Sequence, residues 1–135
     1  MVDGDVTTAA AGDVATAFFT ALATGDLDAA RAQLADDVTW NIPGRSSVAG
    51  VYTGPDGVMS FFEKWGPFGR RMETTFDGMT SDSRTVVIRM TSRCTEPDHP
   101  LVARECHVLE VQDGRIDTMT EYQADQHEFD AWVGA

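Results

Sequence analysis

The chain has 135 residues, enough for one domain with a hydrophobic core of its own. Its 22 acidic residues against 10 basic ones give a formal charge of −12, a field that repels phosphate backbones and anionic lipid, so nucleic acid and membrane surfaces are poor partners. No apolar run approaches the roughly 20 residues of a membrane span, and Met1-Val2-Asp3-Gly4-Asp5 lacks the basic and apolar regions of a secretory signal. Two cysteines, Cys94 and Cys106, are too few for a disulfide framework. They read as small buried hydrophobes of a single cytoplasmic domain.

Residues 1–12 read as a flexible N-terminus. A first helix is predicted from about Asp13 to Thr24, with Val14, Phe18, Ala21 and Leu22 at helical spacing and Gly25 as its stop. Asp26 is placed to cap a second, short helix through Leu34, with Leu27, Ala30 and Leu34 on its apolar side. Val38-Thr39-Trp40-Asn41-Ile42 reads as a strand ended by Pro43-Gly44. Pro55 suits the first turn of a third helix, on which Val58, Phe61, Phe62 and Trp65 share one side until Gly66-Pro67 breaks it.

From Arg71 onward the period changes to two. Strands are predicted over 71–77, 85–94, 102–111 and 115–123, with turns at Gly78, Glu96-Pro97-Asp98 and Asp113-Gly114. The tail, 125–135, can close with a helical turn that lays Phe129, Trp132 and Val133 on the sheet. Helices first and strands afterwards predict an α+β domain, three helices packed on a curved antiparallel sheet that encloses a conical cavity.

Several strings, in this order, resemble the nuclear transport factor 2-like superfamily, and within it the SnoaL-like and ketosteroid isomerase-like proteins. They are Phe18 to Asp28, Asp36-Asp37-Val38-Thr39-Trp40, Asn41-Ile42-Pro43-Gly44, Ala49 to Gly54, and Asp113-Gly114-Arg115-Ile116 with the closing strand and Phe129. The resemblance spans nearly the whole chain as one SnoaL-like domain, 1–135. It implies the cystatin-like roll and a homodimer through the sheet, but the fold hosts many chemistries and binders. Ketosteroid isomerases carry a tyrosine, an aspartate and a second acid where this chain has Phe18, Ile42 and His107. Limonene-type epoxide hydrolases carry an Asp-Arg-Asp network, matched here by Arg89 and Glu121, with Thr91 in place of one aspartate. SnoaL-like polyketide cyclases pair a histidine and an acid on the last two strands, as His107 and Glu121 stand here.

The resemblance thus implies acid–base chemistry by His107 and Glu121, with Arg89 to hold an enolate or alkoxide and no metal or organic cofactor. Either His107 or Glu121 can be the base. Phe18, Trp40, Phe62, Trp65, Leu109 and Met119 are the expected walls around a hydrophobic, oxygenated small molecule such as a polyketide or terpenoid, undergoing cyclisation, isomerisation or epoxide opening. A non-catalytic binder with the same cavity is the alternative. His99 and His127 are expected at the surface, and the histidines show no metal-ligand spacing.

Register decides the pair, because side chains alternate along a strand. A strict Asp113-Gly114 turn pairs Gln112 with Arg115, sets His107 against Thr120 and sends Glu121 to the other face. A three-residue loop with a glycine bulge pairs Val111 with Arg115, sets His107 against Met119 and keeps Glu121 diagonal on the same face. The resemblance favours the second.

Overall fold

Helix α1 (Val2–Thr24) forms because small and aromatic residues recur on one side. Ala11, Ala15, Phe18 and Ala21 are all buried along that stripe. Gly25, at φ +78°, ends it, and the amides of Gly25 and Asp26 return to the carbonyls of Leu22 and Ala21. This computed structural model describes the backbone from Val2 and the side chains from residue 11 onward. Of the stretch expected to be flexible, 1–12, Met1 lies outside the described residues, and residues 2–10 are described only as backbone of α1.

Helix α2 (Leu27–Ala32) is capped as expected, the Asp26 carboxylate accepting from the Ala29 amide. It is shorter than its periodicity suggests. Leu27 is exposed, Ala30 alone of the helix is buried, and Leu34 already opens strand β1 (Leu34–Ile42). β1 pairs with the short β2 (Gly50–Thr53), which leads into α3 (Gly54–Gly69). Gly66-Pro67 does not break α3. Pro67 stands in the last turn, so only one intrahelical bond is lost, and the Arg70 amide closes the end on Gly66.

The meander consists of β3 (Glu73–Ser81), β4 (Thr85–Cys94), β5 (Leu101–Gln112) and β6 (Arg115–Gln123). Gly78 is not a turn. It lies inside β3 at a bulge, and the turn comes later, where the Asp82 carboxylate accepts from the amides of Arg84 and Thr85. The curved six-stranded sheet has the order β2-β1-β6-β5-β4-β3. Its pairs are antiparallel except β1 with β6, which run parallel. The α+β architecture of helices on a curved sheet is as the sequence suggests; the parallel pair is the addition.

Helix α4 (Gln126–Val133) covers one end of the sheet with Phe129, Trp132 and Val133. His99, expected at the surface, holds it there. The His99 ring stacks on Trp132 at 4.9 Å, the Trp132 indole N–H donates to the His99 carbonyl at 2.8 Å, and His99 Nε2 lies 2.7 Å from the Trp132 carbonyl. His127 is exposed, as expected. Cys94 and Cys106 are both free, on neighbouring strands; Cys94 is buried and Cys106 half-buried.

Candidate functional site

The β5–β6 hairpin solves its register in a third way. The turn is a strict two-residue one, Gln112 pairing with Arg115, with Asp113 and Gly114 at φ +53° and +75°. One step further the ladder slips. Val111 pairs with Ile116 but Glu110 pairs with Thr118, so Asp117 is an extra, bulged residue. That single insertion reverses the parity of the rest of β6. His107 consequently stands directly opposite Glu121, and Leu109 opposite Met119. The pair shares the inner face, as the resemblance implied, but through a bulge within the strand rather than at the turn.

His107 Nε2 lies 3.3 Å from Glu121 Oε1 and 3.8 Å from Glu105 Oε2. Neither contact has hydrogen-bond alignment, and both ring nitrogens are buried without an aligned partner among the described residues. The carboxylates are held from behind. The Gln123 amide donates to Glu105 at 2.7 Å and to Glu121 at 3.1 Å, while the Ser92 hydroxyl donates to Glu105 at 3.0 Å and lies 2.9 Å from that of Thr74. Glu121 is buried, with 8% of its surface exposed.

Burial by itself opposes charge on the ring, but the Glu105 and Glu121 carboxylates outweigh it and raise the His107 pKa to about 9. Burial likewise pushes the Glu105 carboxyl upward, and His107, Ser92 and Gln123 together bring it below its ordinary value. At neutral pH His107 is therefore an imidazolium beside an ionised Glu105.

These groups face a cavity of about 180 Å³. Of the expected walls, Trp40, Phe62, Trp65 and Met119 line it. Phe18 and Leu109 do not; both are fully buried in the core behind it, where Phe18 packs on Phe19, Trp40 and Phe62. Arg89 is the larger correction. It pairs with Cys106 on the outer face of the sheet, exposed, and its guanidinium donates to the Asp77 carbonyl at 3.3 Å. One residue of strand separates it from Ile88 and Met90, which face inward, and alternation sends it away. Sequence reading missed Glu105, Ser92 and Gln123. For Glu105 and Gln123 a signal was present: Glu105 precedes His107 by two, Gln123 follows Glu121 by two, and such residues share a face.

The donor atoms of Glu105, His107 and Glu121 lie within 4.8 Å of one another, close enough to surround a cation. The absence of metal-ligand spacing in the sequence does not extend to this cluster. The donor chemistry nonetheless suits a proton better. A ligating histidine must be neutral, and its second nitrogen ordinarily donates to an acceptor, which Nδ1 lacks among the described residues.

A SnoaL-like domain model matches residues 15–119. No curated protein matches the chain in sequence. Among solved structures, a nuclear transport factor 2-like protein from Burkholderia xenovorans superposes with a TM-score of 0.79 at 19% identity, covering 94% of this chain and 98% of that one. A protein with a cystatin-like fold from Xanthomonas campestris gives 0.78 at 24% identity, covering 91% and 97%. TerC, co-crystallised with polyporic acid, gives 0.77 at 16% identity, covering 93% and 99%. At these identities the likeness is one of fold.

Proposed function

The chain belongs to the SnoaL-like domain family of the nuclear transport factor 2-like superfamily, and on that premise we propose that it is an acid–base enzyme acting on a hydrophobic, oxygenated small molecule. The observation that carries this reading is the buried Glu105–His107–Glu121 cluster set into a cavity lined mostly by aromatic and methionine side chains. No cofactor is required for the proton transfers that such a cluster can perform.

The protonated ring sets the roles. A ring protonated until about pH 9 is a proton donor in the resting state, not a base. Glu121 is then the base, taking a proton from carbon beside a carbonyl. The electron pair moves to the carbonyl oxygen, and the His107 Nδ1–H, unpartnered in the fold, donates to the enolate that forms. Return of the proton to another carbon isomerises the substrate; attack of the enolate carbon on a second carbonyl of the same molecule closes a ring, and the alkoxide so formed takes the proton back from Glu121. Glu105, anchored by Ser92 and Gln123, acts as the counter-ion that keeps His107 charged.

Binding of a small molecule in this fold has a parallel in TerC, crystallised with its ligand. A homodimer through the outer sheet face is part of the same proposal, supported by exposed Val102 and Tyr122 on that face. Light scattering of the intact chain tests it, and a monomeric mass rejects it. Two free cysteines suit a reducing cytoplasm.

The test of the chemistry is deuterium uptake beside the carbonyl of small ketones and diketones, followed by mass spectrometry. The wild-type chain should accelerate exchange over buffer, and Glu121→Gln should lose at least about a hundredfold of that acceleration. Undiminished exchange in Glu121→Gln overturns the assignment. Tight binding with no exchange by the wild type would make this a binding protein instead.

A further inference from the structure

Trp40 is 1% exposed, forms part of the cavity wall, and its indole N–H has no hydrogen-bond partner among the described residues. A buried donor left without an acceptor is rare and costs the full desolvation of the group. A phenylalanine at this position would carry no such polar penalty. The neighbouring rings, Phe18 and Phe62 at 5.3 and 5.8 Å, cannot accept in the plane of the indole as an oxygen would.

The register places this donor relative to the acid–base cluster. Trp40 pairs with Met119 on β6, and Glu121, two residues along the same face, pairs with His107 on β5. Trp40 and His107 are thus two strands apart and two residues offset, about 12 Å between backbones. Their side chains rise from one concave face, which leaves room for about one ring between an indole and an imidazole.

Volume and charge define what fits there. The cavity's 180 Å³ is little more than the roughly 150 Å³ known to hold benzene, and far below the range for drug-sized ligands. One imidazolium between two carboxylates leaves the wall net negative, which disfavours carboxylate and phosphate ligands. Both orphan groups, Trp40 Nε1–H and His107 Nδ1–H, are donors, so the missing partner is an acceptor.

We propose that Trp40 is a substrate-binding residue whose indole N–H holds a carbonyl oxygen of a neutral, single-ring compound seated between Trp40 and His107. The proposal deepens the acid–base reading and rests on it for which atoms react. It excludes a fused polycyclic substrate lying wholly inside the cavity. It also makes Trp40, not Arg89, the wall residue that orients the ring against the acid–base cluster.

The experiment uses the intact chain, 15N-labelled at its tryptophans, with cyclohexanone and cyclohexane as probes. The three indole N–H signals are assigned in the wild type from through-space contacts, Trp40 to Phe18 and Phe62, Trp65 to Phe68 and Phe129, and Trp132 to His99. Cyclohexanone should saturate and move the Trp40 indole proton downfield, while cyclohexane, of similar size without the oxygen, should leave it in place. Trp40→Phe should weaken cyclohexanone binding about three- to tenfold relative to cyclohexane, whose binding reports the change in cavity shape alone. An indole signal that responds equally to both probes, or to neither, overturns the proposal without needing the variant to fold. The two readings fail separately: an indole shift without deuterium exchange refutes the acid–base role alone, whereas exchange without an indole shift, and with an unchanged KM in Trp40→Phe, refutes the Trp40 contact alone.

Discussion

Raising the pH should destabilise the fold through His107 in a defined window. The ring titrates near 6.5 when unfolded and at about 9 in the fold. A pKa raised on folding means that the native state holds the proton more tightly. The resulting stabilisation is complete below about pH 6.5, declines as the pH rises, and is gone above about pH 9. At about 1.4 kcal/mol per unit the loss comes to roughly 3 kcal/mol, or on the order of 10 °C in Tm for a chain of this size. Burial opposes the charge and the two buried carboxylates together outweigh it, so the effect should resist salt better than a surface pair would. Urea unfolding at intervals between pH 6 and 10, for the wild type and His107→Gln, isolates the ring, because tyrosines, cysteines and the other histidines cancel in the difference. The gap between the two proteins should shrink steadily across the window. A gap constant to within about 0.5 kcal/mol from pH 6.5 to 9.5 would refute the imidazolium and, with it, the assignment of Glu121 as base.

Glu121→Gln removes one of the two carboxylates beside the ring, so the His107 pKa should fall from about 9 toward its ordinary value, as read from the imidazole proton shift; an unmoved titration would mean that Glu105 alone holds the charge. Glu105→Gln acts at the acid end. A lowered carboxyl stabilises the fold above its ordinary pKa of 4.5 and is lost as the pH falls, so the variant should show a flatter decline in stability below about pH 4.5 in acid titration by circular dichroism. Gly44→Ala should cost about 2 kcal/mol in urea unfolding, because Gly44 sits at φ +105° and a Cβ there runs into the Asp130 carboxylate that accepts from the Arg45 amide. A neutral result would mean that the tail helix is not seated on the Gly44 loop.

The sequence by itself determined most of the architecture, for reasons that are local. Helical spacing from Ala11 to Ala21, the Gly25 stop and the Asp26 cap specify the first helical pair without help from distant residues. Period-two alternation locates β4 to β6, and the Asp113-Gly114 dipeptide specifies its turn. Where a local signal was misread, either its position within the element or a tertiary contact had overridden it. Pro67 is tolerated because α3 is nearly finished when it arrives, and Gly78 serves a bulge because the Arg89 guanidinium occupies the space a side chain would take.

Which residues form the site was decided only in three dimensions. His107 and Glu121 were legible as a pair, but the bulge at Asp117 that places them face to face has no signature in the sequence, since an extra residue in a strand looks like any other. Arg89 was expected in the cavity only through the resemblance, and the parity of β4 turns it outward. Glu105 looked like one more acid in an acidic chain until the fold set it 3.8 Å from an imidazole. Composition and periodicity record what each residue is and how its neighbours repeat. Whether a charge is solvated on the surface or held against a buried ring depends on strand register and on burial, and both belong to the assembled sheet.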